Sequence, residues 1–133
     1  MKITAVVVHR LSLPLPRPVR TARHDHTHAD TVAVELRTDD GLVGSGYCFA
    51  FGARRARALA ELVEDLAECY VGRAPAPHAR HAEAWRALNF VGHAGLSLMA
   101  LCPLDTACWD LAARAAGQPL FRYLGGDRTR VPT

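Results

Sequence analysis

Residues 31–51, TVAVELRTDDGLVGSGYCFAF, decide the fold. Residues 31–38 place an apolar side chain at every second position, which is the period of a β-strand with one buried face. Asp39, Asp40 and Gly41 supply the chemistry of a tight turn. The chain then returns through residues 42–51, whose glycines suggest a bulge or a close approach by another backbone. The stretch predicts an antiparallel hairpin.

The chain before this hairpin divides into two parts. Residues 3–13 are rich in Val and Leu and stop at Pro14, which predicts a further strand. Residues 14–30 contain three prolines followed by arginines and histidines, with no sustained apolar period. They predict an exposed loop, and a loop of this length is usually functional or disordered.

The chain after the hairpin changes to a helical pattern. Apolar residues recur at spacings of three and four from Gly52 to Gly72, and two further helices are predicted over residues 78–90 and 95–116. Pro103 should kink the last helix or mark a join of two segments. Strands followed by helices indicate an α+β fold: a three-stranded antiparallel meander sheet followed by a bundle of three to four helices.

Length and charge restrict the classes of function. The chain has 133 residues, half of them hydrophobic, which suits one domain with a buried core. Its net charge of +3 is spread along the sequence and argues against a nucleic-acid partner. The N-terminus reaches charged residues too early for a signal peptide, and no apolar run is long enough to suggest a membrane partner. A cytoplasmic location is expected.

Several segments carry a resemblance to a known family. Residues 104–114, LDTACWDLAAR, followed by GQPL and LGG at 117–120 and 124–126, resemble the last helix of the capping domain in mandelate racemase and muconate lactonizing enzymes. Residues 41–51 and 14–22 are similar to a glycine-rich strand and to the first mobile loop of mandelate racemase. The resemblance covers essentially the whole chain and identifies it as an enolase-superfamily N-terminal capping domain, closest to the mandelate racemase subgroup.

The resemblance implies a two-domain enzyme. Residues 1–130 would be the capping domain, which shapes substrate specificity, and residues 131–133 the start of a TIM-type catalytic barrel. In the family the barrel binds Mg²⁺ and carries the groups that remove a proton alpha to a substrate carboxylate. No catalytic and no metal-binding position falls within this chain, so the chain alone is predicted to be inactive. The implied partners are a small-molecule carboxylate, the C-terminal barrel and further copies in a homo-oligomer.

The same resemblance places four substrate-binding residues. Val19, Arg23 and His26 match the first loop that closes over substrate, and Phe51 matches the second specificity loop, with sheet packing as the alternative for Phe51. Mandelate racemase presents aliphatic side chains where this sequence has Arg23 and His26. Because these two side chains can bond hydroxyls or a second carboxylate, they favour dehydration of a sugar acid over racemisation.

Alternative functions follow from the histidines and from the fold alone. His24, His26 and His28 would share one face of an extended segment and could bind Zn²⁺ or Ni²⁺, as in a free-standing ligand- or metal-binding module. A mobile loop preorganises metal ligands poorly, so substrate contact is the preferred interpretation. A structural dimerisation module is the third possibility.

Two residues of the last predicted helix are expected to be structural. Trp109 is predicted to anchor the core or an interdomain surface. Asp110 is expected to pair with Arg114 one turn further along the helix.

Overall fold

The sheet has three antiparallel strands in the order β1-β2-β3, and the computed structural model describes residues 1–130. The strands are β1 (Ile3–Arg20), β2 (Asp25–Thr38) and β3 (Val43–Phe49). Val34 at the centre of β2 lies opposite Val8 of β1 and Gly46 of β3. The predicted meander is confirmed. The interpretation of residues 131–133 as the start of a barrel lies outside the described residues.

The structure of residues 14–30 differs from the loop that the sequence predicts. They are not a loop, because β1 and β2 continue through them as a two-stranded extension, here called the hairpin arm, that turns at residues 21–24. Pro14 lies opposite His28, and Val19 lies opposite His26. The prolines are tolerated because β1 is an edge strand, and the register shift between Pro14 and Val19 absorbs the surplus residues. The prediction that most of this segment is exposed is confirmed.

The helices follow the sheet, as predicted. They are α1 (Ala53–Leu66), with a 3₁₀ turn at Ala67–Cys69, then α2 (Pro77–Ala87), α3 (Leu96–Ala115) and the short α4 (Leu120–Tyr123). Pro103 lies within α3 without dividing it into two helices. By length and composition α3 could cross a membrane, but the core helix of a globular domain meets the same criterion, and α3 is the main helix packed on β3.

The core lies between one face of the sheet and the helices. The alternating residues of β2 are buried as predicted, and they meet the apolar faces of α1 and α3; the largest fully buried aliphatic side chains are Ile3, Val32, Val34, Leu36, Leu59, Val63, Leu66, Leu88, Leu104 and Leu111. At the closest approach, a Cβ placed on Gly46 would lie 2.1 Å from the carbonyl oxygen of Pro103. The predicted approach of another backbone to this strand is confirmed, and the backbone is that of α3.

Polar contacts fix α3 against its neighbours. The carboxylate of Asp110 accepts a hydrogen bond from the backbone N–H of Ser45 at 2.9 Å and another from Nε of Arg114 at 2.8 Å. The predicted Asp110–Arg114 pair is confirmed, and its link to β3 is an additional finding. Trp109 is half-buried, with its ring edge-on to His78 and near Tyr123, at centroid distances of 5.0 Å and 6.2 Å. It is therefore an anchor at the edge of the core.

Candidate substrate-contacting site at the hairpin arm

The four residues assigned to substrate binding converge on two adjoining hollows. The apolar hollow, about 250 Å³, is lined by Leu15, Val19, His26, His28, Ala29, Asp30, Phe49 and Phe51. The polar hollow, about 580 Å³, is lined by Ser12, Arg23, His24, Asp25, His26, Thr27, His28, Asp30, Phe51, Gly52, Ala53 and Arg55. Val19 therefore belongs to the apolar hollow and Arg23 to the polar hollow, whereas His26 and Phe51 line both.

The rings of His26 and Phe51 form a wall between the hollows. Their centroids are 5.9 Å apart with an edge-on geometry. The arm places His26 opposite Val19 in the β-ladder, and Phe51 follows the end of β3. The side chain of Phe51 is 58% exposed, so it does not pack into the core, and its ring lies at the hollows beside the ring of Phe49 on β3.

The backbone of Phe51 is unusual. Its φ of 50° makes it the one non-glycine residue with a positive φ among residues 1–130. For a bulky side chain this left-handed conformation costs on the order of 1–3 kcal/mol, and it persists where the surrounding structure imposes it. Ala50 just before it is held by a 2.9 Å hydrogen bond from its N–H to the carbonyl of Asp30. The guanidinium of Arg55 donates a hydrogen bond to the carbonyl of Phe51.

The polar hollow is rich in hydrogen-bond donors. Arg23 and Arg55 both line it, and both are exposed. Of its two acidic side chains, Asp25 pairs with Arg20 at 3.8 Å, and Asp30 accepts a 2.7 Å hydrogen bond from a serine hydroxyl. Neither carboxylate is paired with Arg23, whose guanidinium can meet a carboxylate or a polyhydroxylated ligand through strong, directional hydrogen bonds, whereas the guanidinium of Arg55 donates to the carbonyl of Phe51. Sequence reasoning singled out Arg23 but missed Arg55, whose one sequence signal was its place in the first turn after Gly52.

The three histidines of the arm do not form a metal centre. The rings of His24 and His26 are 6.0 Å apart, and Nδ1 of His28 lies 2.9 Å from the hydroxyl of Thr27. Within residues 1–130, no group of three or more His, Cys, Asp or Glu side chains is close enough to hold a metal ion. This part of the chain therefore offers no ligand set for Zn²⁺ or Ni²⁺, nor one for Mg²⁺.

Residues 2–125 match the family described as mandelate racemase / muconate lactonizing enzyme, N-terminal domain. The chain belongs to this family, and the resemblance inferred from its motifs is confirmed.

Curated relatives cover nearly all of the chain. It is 33% identical to the cis-3-hydroxy-L-proline dehydratase of Roseibium aggregatum, over 95% of this chain and 35% of the relative. It is 35% identical to the D-galactarolactone cycloisomerase of Agrobacterium fabrum, over 95% of this chain and 32% of the relative. The chain thus spans about a third of the length of the curated relatives that it matches.

Solved structures share the fold. An enolase from Bradyrhizobium complexed with magnesium and mandelic acid superposes with a TM-score of 0.89 at 31% identity, over 99% of this chain and 37% of that one. The L-talarate/galactarate dehydratase of Salmonella typhimurium, liganded with Mg and L-lyxarohydroxamate, gives a TM-score of 0.86 at 28% identity, over 96% and 34% of the two chains. The α+β architecture is that of the enolase-superfamily N-terminal domain.

Proposed function

We propose that this chain is the capping domain of a Mg²⁺-dependent enzyme that removes the proton alpha to the carboxylate of a sugar acid. The observation that carries the proposal is the convergence of Val19, Arg23, His26 and Phe51 on two adjoining hollows in a member of this family. We infer that these hollows face the substrate and that the chain selects the substrate, while a second domain performs the chemistry.

The polar lining supports a sugar acid as the substrate class. Arg23 and His26 can donate hydrogen bonds to hydroxyls or to a second carboxylate, and a site built to bond such groups discriminates strongly against ligands that lack them. Relatives named for galactarolactone and for talarate/galactarate act on molecules of this kind. Val19 and Phe49 leave one apolar side to the site, which would contact the carbon backbone of the substrate.

Mg²⁺ belongs, in this proposal, to a C-terminal barrel that follows the capping domain. When bound there, the metal would stabilise the negative charge that develops on the substrate carboxylate as the alpha proton leaves. The residues of this chain would orient the rest of the substrate and exclude water from the closed site. The 133-residue chain by itself is therefore expected to have no turnover.

The test uses the complete gene product that contains this chain. The reading frame beyond Thr133 is sequenced first, and a continuation that encodes a barrel is expected. The purified product is then incubated with Mg²⁺ in D₂O, with galactarate, galactonate or mandelate, and alpha-proton exchange and dehydration are followed by NMR. Exchange or dehydration of a sugar acid supports the proposal. A stop codon at this point, or exchange confined to mandelate, contradicts it.

A further inference from the structure

We propose that Arg55 is a positioning residue. By bonding the carbonyl of Phe51, it holds Phe51 in its left-handed conformation and so keeps the Phe51 ring against His26. The functional consequence rests on the proposed function, in which this wall contacts the substrate. The effect of Arg55 on the Phe51 ring does not depend on that function and is tested separately.

The bend at Phe51 is imposed by fixed points on both sides. Ala50 is buried, and its N–H is bonded to the carbonyl of Asp30 across the sheet. Gly52 has a φ of 136°, and its carbonyl accepts the N–H of Ala56 at 2.9 Å, which begins α1. The chain must therefore turn from strand to helix at Phe51 and Gly52. Of these two, Phe51 is not a glycine.

Phe51 has no side-chain means of stabilising this conformation. Asn and Asp, which adopt it more often, can bond their own backbone through their polar side chains, whereas a phenyl ring cannot. The compensating contact comes from outside the residue, from the guanidinium of Arg55 in the first turn of α1. The guanidinium of Arg55 therefore contacts the carbonyl of Phe51, and the left-handed turn determines the direction of that carbonyl.

The ring depends on the backbone for its position. It is largely exposed, and its aromatic neighbours among residues 1–130 are His26, which it meets edge-on, and Phe49, at a centroid distance of 6.3 Å. Because more than half of the side chain is exposed, a change in the Phe51 backbone would move the ring away from His26. Loss of the Arg55 contact should therefore open the wall and join the two hollows.

The first experiment reads the geometry directly. In the isolated chain, the three-bond HN–Hα coupling of Phe51 and the NOE between the Phe51 and His26 rings are measured in Arg55→Ala, Arg55→Gln and Arg55→Lys. Arg54→Ala is the matched control, because Arg54 is an exposed neighbour on the same helix turn and lines neither hollow.

The NOE should fall by at least half in Arg55→Ala, with a shifted coupling, while Arg55→Lys retains most of it and Arg54→Ala retains all of it. If Arg55→Ala does not fold, Arg55→Gln gives the same reading. An unchanged NOE and coupling in the folded Arg55 variant would overturn the proposal, as would the absence of the NOE from the wild-type chain.

The second experiment separates this proposal from the proposed function. In the complete enzyme, Arg55→Ala should raise KM for the sugar acid by roughly twofold to tenfold, the range for one net hydrogen bond, with kcat much less affected. Arg55→Lys should keep KM close to the wild-type value. Loss of the NOE with unchanged kinetics would confirm the positioning of Phe51 and would contradict its role in substrate contact.

Discussion

Gly44 and Gly46 determine how closely β3 approaches α3. A Cβ on Gly44 would lie 2.2 Å from the carbonyl oxygen of Ala107, and one on Gly46 would lie 2.1 Å from that of Pro103. Both neighbours are backbone atoms of a core helix, which cannot rotate away as a flexible side chain could. These glycines are therefore needed for the space they leave.

The first prediction is that Gly46→Ala lowers the free energy of unfolding by about 1–3 kcal/mol or more, because the added methyl group must push α3 away from the sheet. Urea unfolding followed by circular dichroism measures it. Ser45→Ala is the matched control, since Ser45 is exposed on the same strand. A loss below about 0.5 kcal/mol in Gly46→Ala, the ordinary range of a surface substitution, would show that the contact is relieved elsewhere.

Asp110 holds α3 against β3 through polar contacts, whereas these glycines allow the two elements to pack closely. The second prediction is that Asp110→Ala costs about 1–2 kcal/mol, because it removes the acceptor for the N–H of Ser45 as well as the ion pair with Arg114. Arg114→Ala removes only the exposed ion pair and should cost less than about 1 kcal/mol. Equal losses in the two variants, measured by urea unfolding, would mean that the bond to Ser45 contributes nothing.

Single residues differ in how far the sequence alone predicts them. The buried alternation of Val32, Val34 and Leu36 was predictable because it is a local period, and so was the Asp110–Arg114 pair at one helical turn. The left-handed Phe51 was not predictable. Its conformation depends on Ala50 being bonded to Asp30 on the neighbouring strand β2, 20 residues earlier in the chain, and no local pattern encodes that bond.

At the scale of elements, the hairpin arm is where local signals misled. Prolines and the missing apolar period normally indicate a loop. Here both are compatible with strands, since β1 lies at the edge of the sheet and the arm has few buried side chains to leave a periodic trace. Helices α1, α2 and α3 were predictable to within a few residues, most directly α1 and α3, because these two bury apolar side chains that recur with the helical period.

The arm should also be less stable than the rest of the sheet. β3 pairs with residues 31–37 of β2, so the arm beyond them is only two-stranded, and an isolated two-stranded hairpin is marginally stable. At its turn, the hydroxyl of Thr21 accepts the N–H of His24 at 3.0 Å, and the backbone N–H of Thr21 donates to the His24 carbonyl at 2.8 Å. These bonds close the tip of the arm.

The third prediction is that amide exchange in the arm, for example at His26, is faster than at Val34 in the three-stranded part, because opening the arm does not require global unfolding. Thr21→Ala should accelerate exchange in the arm further and leave Val34 unchanged. Hydrogen exchange monitored by NMR measures both. Equal protection at His26 and Val34 in the wild-type chain would show that the arm opens only with the whole sheet.

For the whole molecule, burial of ionisable groups predicts the response to alkaline pH. Burial raises the pKa of Cys48 to about 11, and burial together with nearby Asp105 raises that of Cys108 to about 12, from an ordinary value of 9.0. Burial also raises the pKa of Tyr70. The neutral groups therefore stay protonated in the folded chain at a pH where the unfolded chain ionises, so their stabilising effect is complete below the unfolded pKa and is lost as pH rises through the folded pKa.

The fourth prediction is that the free energy of unfolding decreases as pH rises above the unfolded thiol pKa of 9.0 towards the folded values of about 11 and 12. Urea midpoints measured in steps across this range test it. Cys108→Ala should lower stability at neutral pH but give a shallower decrease in alkali, because one buried group no longer titrates. A constant midpoint across the range would contradict the burial of these groups.

The architecture followed from the sequence alone, whereas the candidate substrate site did not. Periodicity was enough for the α+β architecture, whereas the four site residues came from the resemblance to a family. The structure adds that they share two adjoining hollows and that Arg55 lines one of them. Residues distant in sequence meet there because the arm, the end of β3 and the start of α1 converge, which no single segment encodes.

The last prediction concerns the complete enzyme and the division of the site into a polar and an apolar hollow. Replacing both Arg23 and His26 with Val removes two donors from the polar hollow and leaves Val19 and Phe49 in place. If the substrate is a sugar acid, the fall in kcat/KM should correspond to a loss of about 2–4 kcal/mol of transition-state stabilisation, since a bond from the charged Arg23 contributes about 1.5–3 kcal/mol and one further hydrogen bond about 0.5–1.5 kcal/mol.

Arg17→Val is the matched control, because Arg17 is exposed on the same arm and lines neither hollow. The loss should be much smaller for a substrate with an apolar distal end, such as mandelate, because that end has no hydroxyls to bond. Steady-state kinetics of both variants on a sugar acid and on mandelate provide the comparison. If the double variant and the control have the same sugar-acid kinetics, the two side chains point away from the substrate, and the argument for a polar substrate fails with them.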